Sequence, residues 1–526
     1  MKYSDYCYIL FLAASLWLVN AIWLLKDTRP PVWDMAMHQS YALNFWPGDH
    51  SGFPPFQAQL RTGNYPPFVH LVIAFFYLLF HPGPHIATLA NVPATLLLLW
   101  GVYELALDLA GRPAARWACF VTVVIPYLMW LSRETVLDYW LAAWVAASLA
   151  LLRKTEGFHE RGRCLILGFF LALGMLTKWI FARFLFFPLL YVFIVKRVWK
   201  DEERLVNLAD IALIAGILSA VWYAPNLPRL IPYFIENSHI GAREGEPPVL
   251  SYQSWIYYLR LLEGYQLFAI LFVIVLLSVY WVYRKRLLRD GIFLAVAVTG
   301  GWLAMTLLRT KDARFTLPLL GLLAIFPGAW IQSWGCAWVP RICKVILPAI
   351  LCLQAYAINF GIPKLPQQVV LAEGYQGSLR WDWNLYLQNY FGILGPPRRE
   401  DWRQADILRR MAEDAGLQVR HSLALIPDLP RFSAANFLLY AKLLHIPARV
   451  DHLQAVPNGL RSFEGFDYVI MKEGDQGMPW STVNSLGLNQ IVLAEPRVFR
   501  LVELYELPNG EAARLYHIRR EEAKGQ

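Results

Sequence analysis

The chain has 526 residues, of which 57% are hydrophobic and 17% are charged. Soluble domains are typically about 45–50% apolar and about 25% charged, so this composition excludes an ordinary soluble protein. The net charge of +9 comes from Lys and Arg in short clusters between apolar runs. That distribution is typical of the cytoplasmic loops of membrane proteins and not of a nucleic-acid-binding face. The six cysteines have no metal-ligand spacing and predict no disulfide scaffold.

The first apolar run, Tyr6 to Leu25, is about 20 residues long, which is enough to cross a bilayer. No small-residue cleavage site follows it, so we interpret it as an uncleaved signal anchor with a cytoplasmic N-terminus. Ten further spans are predicted at 86–110, 115–131, 137–152, 164–178, 183–196, 206–224, 265–283, 290–308, 315–334 and 343–361. The run Pro67 to Phe80 has about 14 residues, which is short for a spanning helix, and is interpreted as an interfacial or re-entrant segment. With about eleven spans, the basic loops fall on the cytoplasmic side.

This topology places a first loop (26–85) and a long loop (225–264) on the outer side. From residue 364 the composition becomes that of a soluble domain, so we predict a membrane domain over 1–363 and an outer α/β domain over 364–526. Helices are predicted at 403–415 and 434–444, and strands at 422–427, 468–471, 491–493, 498–505 and 514–518. The aromatic stretch 381–391 is expected to lie along the membrane surface.

Two outer-side carboxylates are candidate site residues. Asp34 shares a helix face with His38, four residues later. Asp34 is a candidate catalytic base, although an Asp after Pro30-Pro31 is also a good N-cap for a helix that starts at Met35. Asp138 lies about one turn inside an apolar helix, where a charge is costly and is a functional candidate. The structural alternative is a buried pair between Asp138 and Arg133 or another cation.

Cations on the outer side run against the charge bias. The turn 309–314 contains Arg309, Lys311 and Arg314, and another turn is flanked by Lys178 and Arg183. Such cations favour an anionic ligand, for example a lipid phosphate. The alternative is that they extend to ordinary phospholipid head groups.

A carboxylate base with outer-side cations fits sugar transfer from a lipid phosphate. The carboxylate would remove the proton of an attacking hydroxyl, and the cations would stabilise the leaving phosphate without a required metal. We predict a single displacement that inverts the anomeric centre. No metal site or cofactor is predicted, and the sequence leaves a divalent metal open.

Five motifs, in order, resemble the GT-C fold glycosyltransferases that use lipid-phosphate sugars. They are Asp34 with His38, Asn64-Tyr65-Pro66-Pro67, Ser132-Arg133 with Asp138, Gly174-Met175-Leu176-Thr177-Lys178, and Arg314-Phe315-Thr316-Leu317-Pro318. The chain is most similar to glycosyltransferase family 39, the protein O-mannosyltransferases with their bacterial relatives, and to the lipid A aminoarabinose transferases.

The resemblance implies a polyprenyl-phosphate sugar donor, an outer-face site in the first loop, Asp34 as the base and Asp138 in support. It also implies donor-phosphate contacts, which we assign to Arg133, Lys178, Arg183, Arg309, Lys311 and Arg314, and substrate contacts, which we assign to His38 and Tyr65. At two positions the chain departs from the family pattern, and each departure weakens the prediction of one contact. Tyr65 stands where the aminoarabinose branch has a lysine, and Phe315 stands where the family has a tyrosine.

The resemblance therefore predicts a multi-pass glycosyltransferase of the bacterial inner membrane with a periplasmic C-terminal domain. Its partners would be the lipid-linked donor, membrane lipids and an outer-face acceptor, which is a glycan, lipid A or a protein. The alternatives are a transporter or flippase of lipid-linked saccharides, and a non-catalytic assembly or sensor protein. Transporters often contain internal repeats, and we find none in this sequence.

Overall fold

The computed structural model describes residues 2–46, 63–334, 338–361, 368–374, 377–382, 395–415, 421–454 and 458–519. These residues form two compact units, each built from separate stretches of the chain. The first unit comprises 1–23, 60–69 and 90–396, and the second comprises 24–59, 70–89 and 397–526. The second unit thus contains most of the predicted first outer loop together with the C-terminal region. The predicted domain boundary between residues 363 and 364 stays a prediction.

The first unit is helical, as its apolar composition predicts. It contains α1 (Tyr3–Leu24), α5 (Asn91–Ala110), α6 (Arg112–Val124), α7 (Pro126–Leu131), α8 (Leu137–Lys154), α9 (Arg161–Met175), α10 (Phe181–Val195), α11 (Glu202–Arg243), α12 (Tyr252–Leu261), α13 (Phe268–Arg284), α14 (Gly291–Thr306), α15 (Leu317–Leu323), α16 (Ile325–Gln332) and α17 (Trp338–Phe360). A π-helical turn, Leu262–Leu267, joins α12 to α13. Two antiparallel strands follow, β1 (Gln368–Gly374) and β2 (Gly377–Asp382).

Six stretches in the described part of the chain are helical, long and apolar enough to cross a membrane. They are Tyr3–Leu24, Pro84–Ala110, Glu202–Arg243, Tyr252–Arg284, Ala313–Gln332 and Arg341–Phe360. These stretches confirm a polytopic helical membrane protein. The other predicted spans correspond to shorter helices, so the total of eleven stays a prediction.

Most of the predicted outer loop at 225–264 is helical, and its location on the outer side stays a prediction. Helix α11 continues to Arg243 through three internal prolines, Pro225, Pro228 and Pro232, and α12 occupies most of the remainder. Proline usually ends or kinks a helix because it removes a backbone donor and its ring clashes with the preceding turn. The three prolines at close spacing therefore resemble a loop in the sequence, although the backbone here stays helical.

The second unit begins with three helices, α2 (Trp33–Leu43), α3 (Phe68–Leu79) and α4 (Pro84–Thr88). It ends with a five-stranded sheet flanked by three helices. The strands are β3 (His421–Leu425), β4 (Ala448–His452), β5 (Tyr468–Lys472), β6 (Phe499–Glu506) and β7 (Ala512–Ile518), and the helices are α18 (Gln404–Ala415), α19 (Ala434–Leu443) and α20 (Ser485–Ala494). The strand order is β4-β3-β5-β7-β6, with β4, β3 and β5 parallel.

Alternate residues of the central strands face opposite sides of this sheet, as the two-residue period requires. Leu423 and Ile470 pack with α18 and α19 on one face. Ala424 and Val469 pack with α20 on the other face. The predicted α/β class of this region is thereby confirmed.

In this region one predicted strand is wrong, one strand was missed, and one predicted segment lies largely outside the described residues. The strand predicted at 491–493 is wrong, because a helix covers those residues; a run of three apolar residues does not distinguish a strand from a buried helix face. The strand Ala448–His452 was not predicted. Of the aromatic stretch 381–391, the first two residues end β2 and the rest lie outside the described residues.

Gly101 permits a close contact between two helices of the first unit. A Cβ built on Gly101 of α5 would lie 2.5 Å from the backbone nitrogen of Ala147 in α8. Small residues at such crossings allow two backbones to approach in a membrane protein. We expect Gly101→Ala to force the two helices apart and to destabilise the protein by about 1–3 kcal/mol.

Thermal unfolding of the purified variant measures this effect. Gly216→Ala is the matched control, since a Cβ on Gly216, also a helical glycine, meets no atom within 4 Å. Equal stability of the two variants would contradict the close approach of α5 and α8.

Candidate functional site

A buried ion pair lies at the centre of the polar residues in the first unit. The Nζ atom of Lys178 donates to both carboxylate oxygens of Asp138, at 2.8 and 2.9 Å. The two side chains are only 10% and 2% exposed. The predicted alternative partner for Asp138 was Arg133 or another cation, and the structure identifies that cation as Lys178. Such a pair is maintained in a low-dielectric region only when the charges satisfy each other.

The turn Ala313–Thr316 connects this ion pair to the cluster of cations. The Nζ atom of Lys178 lies 5.1 Å from the centre of the Phe315 ring. Gln266, in the π-helical turn, donates to the carbonyl of Ala313 and to the hydroxyl of Thr316. The turn that carries Arg314 is therefore fixed by buried hydrogen bonds. π-Helical turns are frequent at functional sites.

Tyr65 contacts Trp179, the residue that follows Lys178. Its ring stacks on Trp179 with centroids 5.2 Å apart, and its hydroxyl accepts a hydrogen bond from Tyr233 at 3.4 Å. Three residues on, the Phe68 backbone donates to the carbonyl of Leu176. The segment after the paired prolines is thus packed against the segment before Lys178. These segments belong to two of the five motifs that resemble the GT-C glycosyltransferases.

Arg133 is buried away from solvent, at 1% exposure. Its Nη2 atom donates to Oδ1 of Asn359 at 2.7 Å, and its guanidinium lies over the Trp23 ring at 4.2 Å. These contacts join α1 and α17 to the turn after α7. They give Arg133 a role in packing, and its predicted phosphate contact stays a prediction.

The three cations of the turn 309–314 have different surroundings. Lys311 is buried and its Nζ atom donates to the carbonyls of Thr306 and Leu308, which are left open at the end of α14. Arg314 donates from Nε and Nη2 to the same oxygen, Oδ2 of Asp312, and is partly exposed. Arg309 is exposed and, within the described residues, has no hydrogen bond or ion pair. Of the three, Arg309 and Arg314 are therefore accessible to an anion, whereas Lys311 caps a helix.

Arg183, the remaining predicted phosphate contact, lies in the first turn of α10. It is exposed and has no ion pair among the residues that the structure describes. Its accessibility is compatible with an anionic ligand, and the role stays a prediction.

Glu246 was not singled out from the sequence, because it lies in the stretch treated as a loop. Its carboxylate accepts the backbone N–H of Lys311, so it holds the start of the cation turn. Burial raises the pKa of Glu246 to about 8, against the lowering effect of that hydrogen bond. Gly241 allows the close approach, since a Cβ there would lie 2.5 Å from Glu246 and 2.7 Å from the carbonyl of Arg309.

Asp34 lies in the first turn of α2 in the second unit. The prediction that Asp34 caps a helix starting at Met35 is wrong: the helix begins at Trp33, and Val32 is the N-cap, with no side-chain cap hydrogen bond. Most of α2 is buried, but Asp34, Met37 and Tyr41 are partly exposed and follow one another at helical spacing. Asp34 therefore lies on a partly exposed, accessible stripe of an otherwise buried helix.

His38, one turn after Asp34, is buried at 3% exposure. Its Nδ1 atom lies 3.0 Å from Nε2 of His70 on α3, and the edge of the Tyr41 ring faces His70. At this distance one ring nitrogen can donate a hydrogen bond to the other, and the tautomers decide which one donates. The pair holds α2 against α3, and the predicted substrate contact of His38 stays a prediction.

Two further groups in this region were missed by sequence reasoning. Trp179 and Tyr233 complete the aromatic stack around Tyr65. Gln266 and Glu246 support the cation turn. Trp179 is adjacent to Lys178 and was within reach of a motif search, whereas the other three have no local signal. Within the described residues, no group of three His, Cys, Asp or Glu side chains is arranged to hold a metal ion.

Comparison with known families identifies part of the chain. Residues 64–224 match the sequence model of the dolichyl-phosphate-mannose-protein mannosyltransferases. The matched segment includes Tyr65, Arg133, Asp138, Lys178 and Arg183. A search of curated protein sequences found no significant match.

Comparison with solved structures covers nearly the whole chain. ArnT from Cupriavidus metallidurans bound to undecaprenyl phosphate superimposes with a TM-score of 0.61 at 14% identity, over 98% of both chains. The apo form of that protein gives 0.60 at 15% identity, over 96% of this chain and 97% of the other. The Archaeoglobus fulgidus oligosaccharyltransferase, tethered to an acceptor peptide with the NVT sequon, gives 0.53 at 12% identity, over 99% of this chain and 75% of the other.

The chain therefore is a polytopic membrane protein with the GT-C fold, as predicted from its sequence. Its predicted resemblance to the protein mannosyltransferases is confirmed by the family match over residues 64–224, and the predicted fold is confirmed by the ArnT structures. Together these findings support a glycosyltransferase of the GT-C type.

The Asp138–Lys178 pair generates a test of stability. We expect Lys178→Met to destabilise the protein by about 3–5 kcal/mol, because it leaves a buried carboxylate without its cation. The double variant Lys178→Met with Asp138→Asn should lose less than the sum of the two single variants. Thermal unfolding of the purified proteins measures both effects.

Arg161→Met is the control, since Arg161 forms an exposed pair with Asp210. We expect that substitution to cost less than about 1 kcal/mol. Strictly additive losses at Asp138 and Lys178 would contradict the buried pair.

Glu246 generates a test of pH dependence. Its folded-state pKa of about 8 lies above the ordinary value of 4.5. Between these values the unfolded chain has released the proton and the folded chain has kept it, so the contribution of Glu246 to stability falls as pH rises. Glu246→Gln removes this titration. The midpoint of unfolding of the variant relative to wild type should therefore increase from pH 5 to pH 8. Glu236→Gln, the same substitution at an exposed position, is the control. A flat difference for Glu246→Gln would contradict the raised pKa.

Proposed function

We propose that the protein transfers a sugar from a polyprenyl-phosphate donor to a hydroxyl acceptor on the outer face of the membrane. The observation that carries the proposal is the convergence of four sequence motifs in the first unit. Residues 64–67, 132–138, 174–178 and 314–318 are far apart in the chain, yet they meet around the Asp138–Lys178 pair. Packing of a membrane domain does not explain charged residues at one buried point, because a charge buried there is costly.

The donor phosphate is proposed to bind at the cations of this cluster. Arg314 and Arg309 lie in the turn that Gln266 and Glu246 hold, and both are accessible. Fixed guanidinium groups stabilise the negative charge that develops on a departing phosphate, and they need no reorganisation at the moment of reaction. Lys178 would act in the same way and would also fix Asp138. The ArnT structure that contains undecaprenyl phosphate supports a donor of this chemical class.

The acceptor is proposed to be activated by Asp34. A hydroxyl becomes a better nucleophile when a carboxylate removes its proton as the new bond to the sugar forms. The hydroxyl oxygen attacks the anomeric carbon, the bond to the phosphate oxygen breaks, and the proton stays on Asp34. A single displacement inverts the configuration at that carbon. The accessible stripe of α2, which consists of Asp34, Met37 and Tyr41, supports this role.

Phe315 and Tyr65 define where this chain would differ from its relatives. Phe315 offers a ring to Lys178 but no hydroxyl to a phosphate. Tyr65 is engaged with Trp179 and Tyr233. We propose that these aromatic rings contact the sugar or prenyl part of the donor, because stacked rings offer apolar area without charge.

Asp34→Asn tests the proposed base. The substitution keeps the shape of the side chain but removes its basicity, so we expect the transfer rate to fall by about 10²–10⁴-fold. The rate is measured as consumption of an undecaprenyl-phosphate sugar by the purified protein with a hydroxyl acceptor. Inversion is checked from the anomeric configuration of the product by NMR.

Asp401→Asn is the control, since Asp401 is exposed and paired with Arg403 in the second unit. That variant should transfer at the wild-type rate. An Asp34→Asn protein as active as wild type, or a product with retained configuration, would contradict the proposed mechanism.

A further inference from the structure

The C-terminal sheet has a crevice where folds of this type bind ligands. From β3 the chain passes through α19 to β4 on one side, and it returns to β5 on the other side of β3. The carboxyl ends of β3 and β5 therefore flank a topological switch point. Open α/β sheets bind their ligands in the crevice outside this point.

In this protein the chain itself lies at that crevice. The Trp33 backbone donates to the carbonyl of Pro430 at 3.0 Å, and the Trp33 indole donates to Oδ1 of Asp428 at 3.0 Å. Arg431 donates to the carbonyl of Pro30, and Asp428, Pro430 and Arg431 all follow β3 directly. The residues that precede Asp34 are thus held by the loop at the end of the strand.

The first turn of α19 adds a fourth contact, since the Asn436 amide donates to the carbonyl of Pro31. Pro30 and Pro31 have no backbone N–H of their own. Their carbonyls are both used by unit-two side chains, and the entry to α2 is therefore restrained by hydrogen bonds as well as by proline geometry.

The loop after β3 is itself braced. Its Asp428 backbone donates to the carbonyl of Gln476, which follows β5. Gly477 has a φ of +109°, and a Cβ there would lie 2.1 Å from the carbonyl oxygen of Asp428. Gln404 of α18 donates to the carbonyl of Arg431. The loop after β3 is therefore fixed both to the segment after β5 and to α18.

The other end of α2 is held by Lys442 of α19. Its Nζ atom donates to the carbonyl of Ser40 at 2.8 Å and to Oδ1 of Asn44, the C-cap residue, at 2.5 Å. The side chain is 7% exposed, and burial lowers the pKa of Lys442 to about 7. A cation at the end of a helix interacts favourably with the open carbonyls and with the helix dipole. A buried lysine that spans two helices is costly to keep, which favours a specific use.

We propose that the C-terminal α/β domain grips α2 at both ends and thereby fixes the position of Asp34, with Lys442 as a positioning residue. The inference rests on the proposed function of Asp34 as the base. It assigns the ligand crevice of the domain to the chain's own residues 30–33, so the acceptor is recognised elsewhere. A catalytic group displaced by about 1 Å can lose roughly 10²-fold in rate, which makes such a grip useful.

Hydrogen–deuterium exchange of the full-length protein in lipid nanodiscs tests the grip. Lys442→Met removes the contact at the end of α2, and Trp33→Phe removes the indole contact at its start. Peptides within residues 33–44 should exchange at least 10-fold faster in each variant than in wild type. Peptides covering β3 and β5 should keep their wild-type exchange, which shows that the domain remains folded.

Arg500→Met is the matched control. Arg500 pairs with Asp414 at 2.6 Å, near Tyr468 at the opposite end of β5. It is a cation of the same domain with no contact to α2. The control should leave exchange over 33–44 unchanged. Wild-type exchange over this segment in Lys442→Met and in Trp33→Phe would overturn the grip.

Kinetics with an undecaprenyl-phosphate sugar test the positioning role. We expect Lys442→Met to lower kcat by about 10–100-fold with the donor KM within about twofold of wild type, and Lys442→Arg, which keeps the charge, to lose less. Faster exchange over 33–44 with an unchanged kcat would overturn the positioning role. Failure of the proposed function gives a different result, because wild type would then consume no donor, or Asp34→Asn would transfer at the wild-type rate, whatever the exchange data show.

Discussion

Charge buried among apolar helices is the constraint on which the first unit depends. Asp138 lies in the first turn of the apolar helix α8, where an isolated carboxylate would be strongly destabilising. Lys178 neutralises it with two hydrogen bonds. Because Lys178 also faces Phe315 and adjoins the Tyr65–Trp179 stack, one ion pair fixes the mutual arrangement of four distant segments. Disturbing it is therefore expected to affect stability and donor binding together.

The same principle separates structural cations from accessible ones. Lys311 donates to backbone carbonyls inside the protein. Arg133 donates to the side-chain amide of Asn359 and lies over an aromatic ring. The exposed cations are Arg309 and Arg183, and Arg314 is partly exposed. A cation whose N–H groups already donate hydrogen bonds within the protein binds a mobile anion weakly. An exposed guanidinium in a fixed turn can donate hydrogen bonds to such an anion. The proposed phosphate contacts therefore rest on the exposed group, with Lys178 as a weaker contact because Asp138 already engages it.

In the second unit, a helix that carries one accessible carboxylate is surrounded by fixed partners. The His38–His70 contact holds its buried face, and the loops of the C-terminal sheet hold its ends. A base must present its oxygen at a defined place, and side chains locked by packing and hydrogen bonds provide that. The proline pair before Trp33 serves the same purpose, because it limits the backbone conformations that lead into α2.

Periodicity and hydropathy predicted the helical membrane class, the α/β class of the C-terminal region and most of its elements. They failed where local pattern and tertiary context disagree. Pro225, Pro228 and Pro232 suggested a loop but lie in a continuous helix, and the apolar run 491–493 belongs to a helix face. Residue pairs such as Lys178 with Asp138, or Lys442 with Ser40, are separated by 40 or 402 positions. A single sequence carries no signal for such pairs, so the motifs were visible from the sequence and their partners were not.

The central claim is transfer of sugar from a polyprenyl phosphate, and a donor-release assay tests it most directly. The purified protein in nanodiscs would be incubated with a panel of undecaprenyl-phosphate sugars, and free undecaprenyl phosphate would be measured by mass spectrometry with and without a hydroxyl acceptor. The account predicts acceptor-dependent release from at least one donor. Absence of release from every donor, with transbilayer movement of an intact lipid-linked saccharide instead, would contradict it and would favour a flippase.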